Sequence, residues 1–295
     1  GSEMCIRDRS RGKPLNPAMP VMTKGSQPTD GGHLVLSASE RIKLLERTPE
    51  LSEIIKPYIG SNELINKKER YCFWLVDVAP SLIKKVPELL SRLEAVKESR
   101  MASPTKSVQE QSLTPQLFTQ IRQPNVNYIA VPEVSSERRR YIPIGFLDSK
   151  TIASNKLYII PESNLYIFGV LISNVHMAWT RIVAGRLEER YSYSPAVYNN
   201  FPWPEITDAQ KEKISQTAQG ILDARALYPD SSLADLYDEL TMPVELRRAH
   251  QANDKAVMQA YGLTKIVDGK KTWLTESETV ARLFEMYEQL TDSKS

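Results

Sequence analysis

The chain has 295 residues, of which 41% are hydrophobic and 25% charged, with a formal net charge of +2. These proportions exclude a wholly disordered chain and leave enough length for a real core in one large domain or two ordinary ones. The weak positive balance excludes any case for nucleic-acid binding from bulk charge, so such binding would need a local cluster. The two cysteines, Cys5 and Cys72, make neither a disulfide framework nor a CxxC pair, which fits a reduced setting inside the cell, the cytoplasm. The longest apolar run, Leu165–Val175, is interrupted by Ser173 and Asn174 and falls short of the roughly 20 residues of a membrane helix. No apolar segment of a signal peptide follows the charged start, so no membrane partner is expected.

The first ten residues, GSEMCIRDRS, look like translated adapter sequence, and residues 1–20 are expected to be disordered or artefactual, leaving the chain a fragment of a longer protein. Thr29-Asp30-Gly31-Gly32 is a turn signal, and His33–Leu36 reads as a short strand. Ser39–Arg47 has helical spacing, capped by Ser37 or Ser39, and a second helix is expected over Glu50–Lys56, ending before Pro57. Arg70–Val76 is dense in aromatic and β-branched residues and predicts a strand. Leu82 to Val96 is helical, with Pro87 marking a kink or two helices. Ser99–Ser112 is polar and reads as loop. Strands are expected at Tyr128–Val131, Tyr141–Ile144, Leu157–Ile160 and Leu165–Ile172, separated by turn residues as in a mixed or antiparallel sheet. Helical spacing resumes over Val170–Leu187.

The stretch from Arg186 to Pro204, RLEERYSYSPAVYNNFPWP, concentrates charge, aromatic surface and three prolines. On an extended chain Glu188, Arg190 and Ser192 share one face, while Leu187, Glu189, Tyr191 and Tyr193 share the other. Phe201–Pro204 continues neither a helix nor a central strand and reads as a stiff boundary. Beyond it, Thr207 with Gln210 and Thr275 with Glu278 are capping boxes opening helices. Further helices are expected at Leu233–Leu240 and from Pro243 to Gly262, and Asp268-Gly269 is a hairpin turn. The expected fold class is α+β: a disordered segment over 1–20, a mixed or antiparallel-sheet domain over 21–204 and a small helical domain over 205–295.

The chain lacks a Gly-rich phosphate loop, GxSxG, HExxH and any metal-spaced Cys/His cluster. It also lacks the (Asn/Asp)-Pro-Pro-(Tyr/Phe) and FxGxG strings of amino-methyltransferases. His33, His176 and His250 are scattered and read as structural or surface residues. By itself the chain is expected to be non-catalytic, with no metal site and no cofactor. What remains is recognition chemistry. Glu137-Arg138-Arg139-Arg140, with Arg122, Lys150, Lys156, Arg181, Arg186 and Arg190, makes 122–190 the candidate phosphate-tracking stretch, the alternative being a solvated basic loop.

Five strings occur together and in order: GSQPTDGGHL over Gly25–Leu34, SSERR over Ser135–Arg139 with YIPIG over Tyr141–Gly145, YxYS over Tyr191–Ser194, VYNNFPWP over Val197–Pro204, and LYDxLTMPxELR over Leu236–Arg247. In this the chain resembles the C-terminal part of the MmeI-type (type IIL) restriction–modification enzymes and their adenine-specific DNA methyltransferase relatives, from about Gly25 to Leu290. The resemblance implies a sequence-specific module for double-stranded DNA. Its partner would be an upstream methyltransferase core of the same polypeptide, using S-adenosylmethionine, with Mg2+ where a nuclease is present. It implies base reading by Glu133, Asn155, Lys156, Glu188, Arg190 and Ser192, and backbone contacts by Arg138, Arg139 and Arg186. The alternative is a non-catalytic interaction or scaffold subunit that docks a protein through its C-terminal helices.

Overall fold

The computed structural model describes residue 6 and residues 11–292. Residues 1–5 and 7–10, Cys5 among them, lie outside the described residues, while Ile6 is buried in the core. The chain forms two compact units, one of residues 1–23, 127–146 and 158–295, the other of residues 24–126 and 147–157. This division by compactness does not fall at Pro204. Residues 11–20, placed by the sequence in the disordered or artefactual segment, follow an irregular path with Leu15 buried and its N–H donated to the Asn199 carbonyl at 2.6 Å.

After a two-residue strand, β1 (Thr23–Lys24), come β2 (Val35–Ser37) and α1 (Ala38–Arg47). Ser37 caps α1 in a full capping box with Glu40. The helix expected over 50–56 is instead a single 3-10 turn, Pro49–Glu53, followed by β3 (Ile55–Ile59). Strand pairing overrides local spacing here, and Pro57 falls where β3 ends its pairing with β4 and takes up β8. A short helix, α2 (Ser61–Asn66), leads to β4 (Arg70–Phe73), and then Pro87 separates two helices, α3 (Pro80–Lys84) and α4 (Pro87–Met101). The stretch read as loop from Ser99 holds the end of α4 and a short α5 (Lys106–Glu110).

The chain next supplies β5 (Tyr128–Pro132), β6 (Val134–Ser136) and β7 (Gly145–Leu147), then returns with β8 (Ile152–Ala153). The sheet of the 24–126 unit runs β2-β4-β3-β8, antiparallel except for the β3–β8 pair. Trp74, Tyr58 and Phe118 meet edge to face over it. Arg100, 1% exposed, organises the loops of this unit. It donates from Nε to the Thr29 carbonyl, from Nη1 to those of Gln111 and Thr114, and from Nη2 to those of Pro28 and Leu117, at 2.6–3.0 Å.

The other unit continues with β9 (Leu157–Ile160), in a sheet of order β1-β9-β5-β7. Tyr141–Ile144, expected as a strand, is buried irregular chain pinned by the Tyr141 hydroxyl donating to Asp254 Oδ2 at 2.6 Å. Leu165–Leu171, also expected as a strand, is a helix, α6, capped by Asn164. Six of its seven residues are buried, so no polar face reported its period. Then follow α7 (Asn174–Val183), β10 (Gly185–Leu187), β11 (Arg190–Ser192), α8 (Pro195–Asn199) and α9 (Asp208–Ala226). The single-turn α10 (Leu233–Leu236), α11 (Val244–Tyr261), β12 (Thr264–Val267), β13 (Lys270–Trp273) and α12 (Glu276–Asp292) complete the chain. Phe201 and Trp203 are buried among Trp179, Tyr198 and Tyr261, and the Pro202 carbonyl accepts from Tyr261 at 2.7 Å. The stiff segment is therefore core. Among the described residues, no helix is long and apolar enough to cross a membrane.

Two of the three histidines sit in this core. His176 Nε2 lies 2.8 Å from the Tyr193 hydroxyl and His250 Nε2 lies 2.7 Å from that of Tyr237, each ring fully buried. Burial pushes His176 down to about 3, and burial, with Arg225, Arg140 and Arg247 nearby, pushes His250 well below the usual imidazole range. The unfolded chain therefore binds protons below pH 6.5 that the native chain does not, and stability falls as pH drops from 6.5. Asp254, raised to about 6 by burial, acts in the opposite sense, its burden on the fold easing below pH 6. Urea denaturation should show a loss of about 0.8 kcal/mol per histidine between pH 7.5 and 6, before the opposing part of Asp254. His250→Gln, which keeps a partner for Tyr237, should about halve the combined loss. Arg100→Met should lower the urea stability of the protein by about 3 kcal/mol or more, since it strips donors from five partly buried carbonyls.

Candidate nucleic-acid interface

Most of the residues singled out from the sequence gather on one small sheet, order β10-β11-β6, antiparallel throughout. Its register places Leu187, Arg190 and Ser136 in one row and Gly185, Ser192 and Val134 in the next. Residues directly opposite share a face, so Arg190 and Ser192 lie together on one side. Arg186, Tyr191 and Ser135 form the row on the other side, where Tyr191 and Ser135 are buried. Tyr191 fixes the inner face, and Arg186 stacks over its ring at 4.3 Å.

Glu188 departs from the expected alternation. Leu187 pairs with Arg190, so Glu188 and Glu189 are the two residues of the hairpin turn rather than strand positions. Two-residue hairpins whose twist matches their strands need positive φ at the first turn position, and Glu188 adopts φ of 55° there with a full side chain. The turn still brings Glu188 back to Arg190, Oε2 to Nη2 at 3.5 Å, both side chains largely in solvent. Glu133 is the second departure. The Tyr193 N–H donates to the Glu133 carbonyl at 2.8 Å, and continuing the register sets Glu133 opposite Tyr193, on the side away from Arg190 and Ser192.

Two of the three guanidiniums expected to hold a phosphate backbone are engaged with carboxylates. Arg138 meets Glu189 at 3.5 Å and Arg186 bonds Glu137. Arg139 is half-buried, its basicity lowered by burial and partly restored by Asp238, with Nη1 3.5 Å from Ser135 Oγ. Residues 133–140 and 185–192 together hold five arginines and four glutamates. This is a patch of alternating donors and acceptors more than a positive field. Exposed pairs of this sort contribute only ~0–1 kcal/mol each, so a ligand can exchange them at little cost.

Asn155 and Lys156 belong to the other unit, in the turn between β8 and β9. The turn is held from beneath by backbone. The Ser26 N–H donates to the Ala153 carbonyl at 2.8 Å, and a Cβ on Gly25 would stand 2.2 Å from the Ser154 carbonyl oxygen. Only glycine permits that approach. The Ser61 hydroxyl donates to the Lys156 carbonyl at 2.7 Å, leaving Asn155 half-buried and the Lys156 side chain exposed. The signal for this support was the first motif, GSQPTDGG. Its Asp30 accepts from the Gly32 and Leu34 N–H groups and closes the following turn.

Glu188→Gly should relieve the left-handed residue and raise thermal stability by about 1 kcal/mol. A calorimetric scan showing no gain would mean that the turn is not strained.

These arrangements have counterparts among known proteins. Residues 1–205 match the MmeI target recognition domain, and residues 206–294 match the MmeI C-terminal domain. The chain is 37% identical over 284 residues to DNA methyltransferase A of Bacillus subtilis (strain 168), covering 96% of this chain and 31% of that protein. Its structure resembles that of the type IIL restriction–modification enzyme MmeI in complex with DNA, with a TM-score of 0.86 and 41% identity over 96% of this chain and 37% of the other. It thus spans about a third of the length of either relative. The chain belongs to the MmeI family, and it carries that family's target recognition and C-terminal domains.

Proposed function

We propose that the chain is the sequence-reading module for duplex DNA of a fused restriction–modification methyltransferase acting on adenine. The observation that carries this reading is the Glu188–Arg190 pair at the exposed end of the β10–β11 hairpin, on the open edge of the three-stranded sheet. Arginine donates in a fork to guanine O6 and N7, while a carboxylate accepts from cytosine N4, so the two side chains complement the two halves of one G·C pair. Ser192 shares the Arg190 face and offers a hydroxyl to the neighbouring step. Asn155 suits adenine and Lys156 suits guanine on a separate loop. Glu133 is the weakest of the six, because it lies on the far side of its sheet.

Arg138 is the best placed of the three backbone candidates, exposed and held only by a weak pair. Arg186 also serves as packing over Tyr191. Arg139 faces a cleft of about 460 Å³ that it shares with Asp235 and Asp238, which suits a structural role better than a phosphate contact.

The methyltransferase core would be joined upstream in the same cytoplasmic polypeptide and would hold S-adenosylmethionine, the methyl donor, with Mg2+ where a nuclease is present. The residues of this chain do not fit those groups. It has no Gly-rich loop, and among the described residues no three acidic, histidine or cysteine side chains are placed to hold a metal. The function of this portion in the whole protein is to choose the site at which the core flips and modifies a base.

The test is a double exchange, Glu188→Arg with Arg190→Glu, read by fluorescence anisotropy on a duplex library. The preferred base pair at one position should change, with the former pair losing ~1–3 kcal/mol of affinity. An unchanged preference sinks the assignment of these residues. If the unaltered chain shows no duplex affinity even at low salt, the scaffold reading takes its place.

A further inference from the structure

The β12–β13 hairpin is an isolated two-stranded sheet attached to the C-terminal helices, and every residue from Ile266 to Trp273 is exposed. It is nonetheless well organised. Its turn, Asp268-Gly269, has φ of 51° and 76°, both positive as a primed two-residue turn requires. At its base the Leu274 N–H donates to the Leu263 carbonyl at 2.9 Å. Lys265 Nζ donates to Glu278 Oε1 at 2.6 Å, and the same oxygen accepts the Thr275 N–H that caps α12. Those bonds, the lysine's foremost, pull the Glu278 carboxyl down to about 2. The ribbon is therefore tied to the helix behind it and held out in solvent.

The charge on this ribbon is not compensated. Between Thr264 and Trp273 there are three lysines and a single acid, Asp268. Lys265 is spoken for, but Lys270 and Lys271 have no hydrogen-bond or ion-pair partner among the described residues. This is the reverse of the β10–β11 ribbon, where the arginines are matched by glutamates. Successive residues of a strand point to opposite faces, so Lys270, opposite Val267, and Lys271, opposite Ile266, flank the ribbon on both sides. A module that reads bases through charge-matched side chains still needs phosphate neutralisation to bind duplex DNA at physiological salt.

We propose that the β12–β13 hairpin is a second, sequence-independent contact to duplex DNA, in which Lys270 and Lys271 neutralise backbone phosphates. The proposal rests on the DNA-recognition reading above. The common alternative for lysines on an open strand edge is protection against edge-to-edge aggregation, which carries no prediction for DNA.

The discriminating measurement is the salt dependence of binding of the full chain to a duplex containing its preferred site. Each phosphate contact contributes about 0.9 to the slope of log K against log salt, so Lys270→Gln with Lys271→Gln should make it shallower by about 1.8. The preference between duplexes should stay as it was. Asp268→Asn keeps a residue suited to the turn and removes the hairpin's one negative charge, so it should tighten binding at low salt. A gain of affinity cannot come from misfolding. Unchanged slope and affinity in both variants, with unaltered binding by the parent chain, would overturn the hairpin contact and leave the reading of β10–β11 intact. Absence of duplex binding by the parent chain would overturn both.

Discussion

The larger unit depends on one asparagine meeting one glycine. Asn253, fully buried on α11, donates from Nδ2 to the Gly169 carbonyl on α6 at 2.8 Å and accepts at Oδ1 from the Thr217 hydroxyl of α9 at 2.8 Å. Three helices from distant parts of the chain are thus fastened through one side chain. The fastening requires glycine at 169, because a Cβ there would stand 2.7 Å from Ile214 Cγ2 and 3.1 Å from Ala218 Cβ. Backbone of α6 consequently packs directly on α9, with Ile214, Ala218 and Ile221 completing the contact. A buried amide satisfied at both ends also fixes the rotation of each helix, which apolar packing alone specifies loosely. This is why residues beyond 205 share a compact unit with residues 158–204 although the two match different family domains.

Upon that unit the outward side of the small sheet is built from weak interactions. Each of the Glu–Arg pairs on the small sheet is exposed, so water and salt already weaken it. The hydrophobic side of the sheet, Tyr191 with its neighbour Tyr193, carries the stability, and the outward side is free to carry information. On the reading proposed above, affinity and specificity draw on different residues. Matched charges discriminate between partners through hydrogen-bond pattern, whereas unmatched charges attract any polyanion.

How much of this could be read from the sequence follows from physics local to each segment. The choice of cap between Ser37 and Ser39, the capping boxes at Thr207 and Thr275, the Asp268-Gly269 turn and Gly262 after α11 all act within a few residues; the structure has the boxes, the turn and the glycine, and Ser37 is the cap. The strand expected over Leu165–Ile172 is a helix because a helix buried all round has no amphipathic period, and the helix expected over Glu50–Lys56 gives way to β3 because its neighbours in the sheet, not its own pattern, decide it. On the candidate site, the two-residue spacing of Arg190 and Ser192 did predict a shared face. Glu188 did not follow, since nothing in its identity announces a left-handed turn position that glycine or asparagine would ordinarily fill. The support beneath Asn155 and Lys156 was present as Gly25, but the need for a bare backbone there is visible only once Ser154 is seen against it.

The pairing of β11 with β6 has a consequence for how such a surface can diversify. Inserting or deleting one residue within β11 itself would shift its register against β6 by a step and carry Arg190 inward while turning Tyr191 out to water. Length variation at this point is closed off by the core. Exchange of side chains at the outward positions leaves the buried ring and the pairing untouched. On the proposed reading, new preferences can therefore arise by single substitutions on an unchanging frame.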